Sequence, residues 1–360
     1  MRQISGMTLR EKVGQLFMLR PDALERRFSP DELDNLGIEG TTAVNDEMRR
    51  TYKDYPCGGF TLFQKNLLQP DQLRKLTEDL HSLGDPEPMI GIDEEGGRVA
   101  KIGCSWADFG IREIPPMGEI GATGDAHNAY AIGKEIGTYL TDFGLDIDFA
   151  PVADLNTNPM NPIIGDRAFG ADPAAAGEMV SEEIRGLHEA GIASCIKHFP
   201  GHGDTTGDTH EDYAESRKTW EEMRTCEMVP FRSGIAAGTD LIMIAHISAP
   251  AVTGSREPST MSRTMITERL RGELGYGGLI VTDALAMGAI RKRFTSSEAC
   301  IACIEAGADI LLMPWDCFEA FDGVVRAVEA GRLPQERIEQ SLERILRFKQ
   351  RLAEMRDRKG

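Results

Sequence analysis

The sequence has no run of about 18 apolar residues, the length that an α-helix needs to cross a bilayer, so we expect no membrane span. Its start also lacks a signal-peptide pattern, because Glu11 and Lys12 interrupt the apolar stretch and no small-residue cleavage site follows. Basic residues are in deficit, since 40 Lys and Arg against 58 Asp and Glu give a net charge of -18. This deficit argues against sequence-independent nucleic-acid binding and against anionic membrane surfaces, which both need clustered basic side chains.

The 7 cysteines are an odd number, which argues against a complete disulfide framework. Cys300 and Cys303 form a C-x-x-C pair, but no second pair stands at the spacing of a metal site. The pair lies in a helical stretch of small residues, which favours core packing over metal or redox chemistry. Free thiols are typical of a reducing compartment, so we predict a cytoplasmic protein.

Short apolar segments alternate with helical patterns along the whole chain. Eight of them are predicted as strands: 15–19, 59–63, 89–92, 146–152, 192–196, 241–245, 279–282 and 310–313. Continuous apolar strands are typical of a parallel sheet that is buried on both faces. Eight such units predict an α/β fold, a (β/α)₈ TIM-type barrel in a single domain over 1–360. A doubly wound sheet is the structural alternative.

Helical periodicity fills the stretches between these strands. Helices are predicted over 30–36, 46–52, 70–83, 129–143, 174–190, 220–237, 262–274 and 296–306, with a C-terminal helix in 334–360. Thr8 and Glu11 have the spacing of a capping box, which predicts a further helix start. The polar segment 21–56 is interpreted as an excursion over one end of the scaffold.

Polar residues cluster directly after the predicted strands. Asp93, Asp154, the pair Lys197–His198, His246 and Asp283 each follow an apolar segment. In a barrel the carboxyl ends of the strands meet at one mouth, which is where active sites lie. The densest such stretch is 197–210, where three histidines and three glycines follow one strand.

Six segments resemble one known family. They are D-E-E-G-G-R-V at 93–99, F-A-P-V-A-D at 149–154, N-P at 161–162 with G-D-R-A-F-G at 165–170, K-H-F-P-G-H-G at 197–203, A-H-I at 245–247, and G-L-I-V-T-D-A-L-A-M at 278–287. In this order they resemble glycoside hydrolase family 3, and within it the single-domain bacterial β-N-acetylglucosaminidases. The resemblance covers nearly the whole chain.

The resemblance implies three catalytic residues. Asp283 matches the family's nucleophile, although by position alone a cap for a helix over 284–290 is the favoured role of this residue. Asp208 and His210, in the segment D-T-H, resemble the dyad that acts as acid and base in single-domain members. A histidine can protonate a leaving oxygen near neutral pH, and an aspartate can orient its ring. From the residues alone, a solvated turn is the alternative for this segment.

The resemblance also implies residues that hold the sugar: Asp93, Lys101, Arg167, Lys197, His198, His246 and Met287. Lys101 stands where the family has an arginine, so the charge is kept and the planar fork is lost. An internal ion pair is the alternative for Asp93 and Arg167. Core packing is the alternative for His246 and Met287, and His202 is expected to shape its loop.

The function that follows is a retaining, exo-acting β-N-acetylglucosaminidase that acts on a small carbohydrate from cell-wall fragments. We expect no cofactor, no metal and a monomer or weak oligomer. A β-glucosidase or a phosphorylase of the same family is an alternative, since a neutral histidine tolerates phosphate attack. A metal-dependent hydrolase with His198, His202, Asp204 and His210 as ligands is an alternative of another class, and a catalytically silent binding barrel is a third.

Overall fold

The computed structural model describes residues 4–33, 35, 37–205 and 214–357. Eight parallel strands form a sheet in the order β10-β1-β2-β3-β6-β7-β8-β9, and a two-stranded antiparallel hairpin, β4–β5, follows β3. The strands are β1 (Phe17–Leu19), β2 (Gly59–Leu62), β3 (Met89–Ile92), β4 (Glu94–Gly96), β5 (Val99–Ala100), β6 (Ile147–Asp148), β7 (Ala193–Phe199), β8 (Leu241–Ile244), β9 (Leu279–Thr282) and β10 (Leu311–Leu312).

The sheet closes on itself between its first and last strands. Val281 of β9 forms a parallel bridge with Ile310, and the backbone N–H of Thr282 donates to the Ile310 carbonyl at 3.0 Å. On the other side, Phe17 of β1 pairs with Leu311 of β10. A closed ring of parallel strands is a (β/α)₈ barrel, which confirms the predicted fold and excludes the open doubly wound sheet.

Helices surround the barrel. They are α1 (Leu9–Gly14), α2 (Pro30–Leu33), α3 (Asp46–Asp54), α4 (Pro70–His81), α5 (Trp106–Phe109), α6 (Met117–Ala122), α7 (Ala126–Asp142), α8 (Pro173–Ala190), α9 (Trp220–Thr225), α10 (Met228–Ala236), α11 (Pro250–Thr253), α12 (Gly288–Arg291), α13 (Ser296–Ala306), α14 (Cys317–Glu329) and α15 (Gln335–Asp357). A π-helix spans Thr264–Glu273. No helix of the described ranges is long and apolar enough to cross a membrane.

All eight predicted barrel strands are present, and the carboxyl ends of two of them differ most from the prediction. The sixth strand along the chain, β6, stops at Asp148, before Pro151, which has no N–H to donate to a ladder. The next strand, β7, runs on through Lys197 and His198 to Phe199, with a register irregularity between Ile196 and Phe199. Lys197 and His198 therefore lie inside β7. The apolar pattern had instead indicated that they follow the end of this strand.

Some helices differ from the prediction. The segment 220–237 forms two helices, α9 and α10, because the backbone of Cys226 leaves the helical region at φ −126° and ψ −89°. The segment 262–274 is helical with π-type bonding. The hairpin β4–β5 and helix α14 were not predicted. The capping box at Thr8 is confirmed, since its hydroxyl accepts from the Glu11 N–H while the Glu11 carboxylate accepts from the Thr8 N–H.

The excursion 21–56 is tied to the rest of the chain by buried polar contacts. Asp22 accepts from the backbone N–H of Thr41 at 2.9 Å and from the Asn66 amide at 3.0 Å. Leu33 of α2 lines a small cavity together with Ala286, in the loop after β9. The excursion therefore packs at the carboxyl end of the barrel strands.

Candidate functional site

Lys197 is the cation at the centre of the mouth. Its side chain is 2% exposed, and its Nζ lies 2.6 Å from Asp93 Oδ1 and 2.5 Å from Glu95 Oε1. Burial alone would lower the pKa of this lysine, but the two carboxylates outweigh burial and raise it. Asp93 is the most exposed of the three residues, with 25% of its side chain exposed. These three residues, Lys197, Asp93 and Glu95, form the Lys197 cluster. The cluster offers a fixed charge and an accessible carboxylate, which suit sugar hydroxyls.

Arg167 forms a two-bond pair with Glu95. Its Nε lies 2.7 Å from Glu95 Oε2, its Nη2 lies 2.8 Å from Glu95 Oε1, and the two side chains are 11% and 1% exposed. Burial would raise the pKa of Glu95, but Lys197 and Arg167 outweigh it and lower that pKa. The internal ion pair considered for Arg167 is therefore present. Glu95 was given no role in the sequence analysis, although it belongs to the segment D-E-E-G-G-R-V.

His198 has a fixed orientation. Its Nδ1 lies 2.7 Å from Asp154 Oδ2, and the same carboxylate oxygen accepts from the His198 backbone N–H at 3.1 Å. A proton on Nδ1 that is donated to Asp154 leaves Nε2 as the acceptor of the neutral ring. Nε2 lies 3.4 Å from Arg167 Nη2. The ring is thus held between a buried carboxylate and a guanidinium, with its outer edge at the Lys197 cluster.

His202 shapes the start of its loop, as expected from the sequence. Its backbone N–H donates to Asp154 Oδ1 at 2.5 Å, and its carbonyl accepts from the Asn161 amide at 2.8 Å. The Thr205 hydroxyl lies 2.9 Å from His202 Nδ1. Burial lowers the pKa of His202, with Asp154 opposing this effect. These contacts hold the segment beside the Lys197 cluster.

Asp283 directly follows β9 and is half-buried at the mouth. Its Oδ1 accepts from the Ala284 backbone N–H at 2.7 Å, and no helix begins there, since α12 starts at Gly288. The alternative role of a helix cap is therefore wrong. Burial raises the pKa of Asp283, but His246 and His198 outweigh burial and lower it. The Ala284 N–H and Lys197 act in the same direction, so the carboxylate form is favoured.

His246 supports the loop that carries Asp283. Its Nε2 lies 3.0 Å from the Ala284 carbonyl and its Nδ1 lies 2.9 Å from the Thr260 hydroxyl. The carbonyl can only accept, so the ring proton is on Nε2. Burial lowers the pKa of His246, although the charge of Asp283 opposes this. Both ring nitrogens are used within the protein, which favours the packing alternative for this residue.

Lys101 and Met287 are the two remaining residues that were predicted to hold the sugar. The Lys101 Nζ lies 5.7 Å from the ring centre of Phe63, and its backbone N–H donates to the Asp93 carbonyl at 3.2 Å. Met287 precedes α12 and is half-buried. Neither side chain bonds to the Lys197 cluster, so their roles in sugar binding stay predictions.

A second layer of buried acids supports Asp93 and Glu95 and was missed in the sequence analysis. Asp148 Oδ1 accepts from the Glu94 backbone N–H at 3.0 Å, and Glu94 Oε1 accepts from the Tyr139 hydroxyl at 2.8 Å. Burial raises the pKa of Glu94 to about 7. Both residues were visible in the sequence, Glu94 within the D-E-E segment and Asp148 inside a predicted strand. Their positions alone gave no sign of this contact.

Asp208 and His210, the predicted acid–base dyad, lie in 206–213, outside the described residues. Their flanks are described: Thr205 is bonded to His202, and the backbone N–H of Ser248 donates to the carbonyl of Ala214 at 2.9 Å. Elsewhere, in 4–33, 35, 37–205 and 214–357, no group of three or more His, Cys, Asp or Glu side chains could hold a metal ion.

The chain is similar to known proteins over most of its length. The family model for the glycosyl hydrolase family 3 N terminal domain matches residues 8–348. The chain belongs to this family. A β-hexosaminidase of Stenotrophomonas maltophilia strain R551-3 is 34% identical over 305 residues, which are 83% of this chain and 87% of that protein. The family match agrees with the resemblance that the six sequence segments indicate.

Other relatives are longer. Beta-hexosaminidase A of Pseudoalteromonas piscicida is 35% identical over 342 residues, 86% of this chain and 56% of that protein. The structure of a glycoside hydrolase family 3 β-N-acetylglucosaminidase from Paenibacillus sp. str. FPU-7 superposes with a TM-score of 0.87 at 37% identity. It covers 97% of this chain, which spans 63% of that one. The chain therefore spans under two thirds of these two relatives.

Proposed function

We propose that the chain is an exo-acting, retaining β-N-acetylglucosaminidase that releases terminal N-acetylglucosamine from small, cell-wall-derived carbohydrates. One observation carries the proposal: Asp283 stands at the same mouth as the Lys197 cluster, and His246 and His198 outweigh burial and lower its pKa, with Lys197 acting in the same direction. An ionised carboxylate beside a sugar-binding cluster is what a retaining glycosidase needs. The name of the Paenibacillus β-N-acetylglucosaminidase supports N-acetylglucosamine as the sugar.

In the first step, Asp283 would attack the anomeric carbon. Its Oδ1 is bonded to the Ala284 N–H, so Oδ2 is the oxygen that forms the new bond. The glycosidic C–O bond breaks, and the leaving oxygen takes a proton from His210. A covalent glycosyl-Asp283 ester results, with the aglycone released as an alcohol.

In the second step, His210 would take a proton from water while that water attacks the anomeric carbon. The ester bond to Asp283 breaks and the sugar leaves with its original configuration. Asp208 would orient the His210 ring and stabilise its charged form. Asp93, Lys197, His198 and Arg167 would hold the terminal sugar.

The setting is part of the same proposal. All seven cysteines are free thiols, which fits the cytoplasm and a role in recycling cell-wall fragments. The protein is proposed to be a monomer or a weak oligomer that uses no cofactor.

The test compares hydrolysis of an aryl β-N-acetylglucosaminide with that of the matching aryl β-glucoside, with Asp283→Ala as the control. We expect the acetamido sugar to be the better substrate by kcat/KM and the variant to be inactive on both. A preference for the glucoside would favour the β-glucosidase. Addition of phosphate separates the phosphorylase, because a sugar phosphate would then replace the free sugar as product.

A further inference from the structure

A groove of about 490 Å³ opens at the end of the barrel opposite to Asp283. It lies between α15 and the residues that precede β8 and β9. One wall is formed by Arg344, Arg347 and Arg351, which stand at i, i+3 and i+7 of α15 and so share one face of the helix. The floor includes Asp240 and the pair Gly277–Gly278. This volume is in the range of small-molecule sites.

The lining of the groove holds three arginines against two acids, Asp240 and Glu354, although the whole chain carries a net charge of -18. Arg344 Nη1 lies 3.0 Å from Asp309 Oδ1, and Arg351 pairs with the buried Asp240. Arg347 is exposed and has no acidic partner among the described residues. One of the three arginines on this wall is therefore not neutralised by an ion pair.

Two further arginines stand behind this wall. Arg271 Nη2 lies 2.5 Å from Asp309 Oδ2, and Arg337 Nη2 donates to the Ala308 carbonyl at 2.6 Å. Burial lowers the pKa of both, and the charge of Arg344 lowers it further, while Asp309 opposes these effects. The single carboxylate of Asp309 thus serves several guanidinium groups, and positive charge is in excess at this end of the barrel.

The floor adds backbone donors. Gly277 and Gly278 lie outside the helices and strands, and neither backbone N–H donates to any described residue. A Cβ placed on Gly277 would meet no atom within 4 Å, so the space above this residue is open. Unpartnered N–H groups beside guanidinium groups are the donors that bind anions in proteins.

We propose that this groove binds a small phosphate-bearing polyanion. The planar guanidinium groups match phosphate oxygens in pairs, and the glycine N–H groups supply further donors. The groove is too large for a single phosphate, so a ligand with two phosphate groups, or one phosphate on a larger body, fits it. The site lies at the other end of the barrel from Asp283 and does not depend on the proposed activity.

Pyrophosphate is the probe, measured by titration calorimetry at low ionic strength. Arg347→Ala removes the unpaired guanidinium, and Gly277→Asp places a carboxylate in the open space. Arg50→Ala is the matched control, because Arg50 is an exposed arginine of α3, away from the groove. A cooperative thermal transition for each variant shows that it folds.

We expect the native chain to bind one equivalent, Arg347→Ala to weaken binding about tenfold or more, and Gly277→Asp to abolish it. Arg50→Ala should bind like the native chain. If the native chain does not bind pyrophosphate, the site is overturned. It is also overturned if folded Arg347→Ala and Gly277→Asp bind pyrophosphate as tightly as the native chain does. A second titration uses citrate, a polyanion without phosphate, at matched ionic strength. Citrate binding as tight as pyrophosphate binding would overturn the assignment to phosphate.

Discussion

Replacing Glu95 by glutamine tests how the mouth of the barrel is held together. Glu95 is 1% exposed and bonds to both Arg167 and Lys197, whose side chains are 11% and 2% exposed. The amide keeps the shape of the side chain and removes its charge. Two cations then remain in a buried site without their shared partner.

The expected cost follows from this burial. Removing one partner of a buried ion pair costs about 3–5 kcal/mol, because the remaining charge stays desolvated. Asp93 still faces Lys197, so we expect a loss within this range and not twice as much. Since domains are stable by about 5–15 kcal/mol, Glu95→Gln should still fold.

The chain contains a matched control. Arg112 and Glu135 form the same two-bond pair at the surface, with 59% and 35% of their side chains exposed. Glu135→Gln should cost less than about 1 kcal/mol, because exposed pairs contribute little. Urea unfolding of the native chain and both variants, followed by circular dichroism, gives the free energy of unfolding of each.

The pH dependence adds a second readout. The folded pKa of Glu95 is lowered from its ordinary value of 4.5, so its stabilisation is complete above pH 4.5 and is lost as the pH falls through the folded pKa. The difference between the native chain and Glu95→Gln should be largest above pH 4.5 and shrink in acid. A loss under about 1 kcal/mol, or one equal to that of Glu135→Gln, would refute this reasoning.

Three further predictions concern catalysis and the loop after β9. Asp283→Ala should lower kcat by about 10⁴-fold or more while the protein still folds, as measured with an aryl β-N-acetylglucosaminide; near-native turnover would contradict its role. His210→Ala should lose most on substrates with poor leaving groups, up to about 10²–10⁴-fold, whereas equal losses across a leaving-group series would argue against an acid role. His246→Ala leaves the Ala284 carbonyl and the Thr260 hydroxyl without a partner, so we expect about 1–3 kcal/mol less stability in urea and a lower kcat. His246→Ala with unchanged stability and kcat would show that the loop needs no such support.

The barrel was predictable because its strands are local apolar runs. Segments such as 279–282 are buried on both faces and carry their pattern within a few residues. Helix α14 escaped prediction, although its first turn is capped by Asp316, whose side chain accepts from the Glu319 N–H. The hairpin β4–β5 has strands of three and two residues, which are too short to show a period, and its register shifts between Glu94 and Gly96.

The site was predictable as positions but not as contacts. Asp93 and Asp283 each directly follow a strand, and Lys197 lies near the carboxyl end of β7, so barrel geometry alone brings these residues to one mouth. Glu95 holds Arg167 and Lys197 together, although these two residues lie 72 and 102 positions after it in the chain. No local pattern reports such a pairing, which explains why Glu95 was overlooked.

The covalent intermediate on Asp283 is the most direct test of the proposed mechanism. The native chain would be incubated with a fluorinated β-N-acetylglucosaminyl fluoride that forms this intermediate and releases it slowly. Intact-mass measurement and peptide mapping should then find one sugar adduct, on Asp283 within the segment 278–287. No adduct, or an adduct on another residue, would contradict the assignment of Asp283 as the nucleophile.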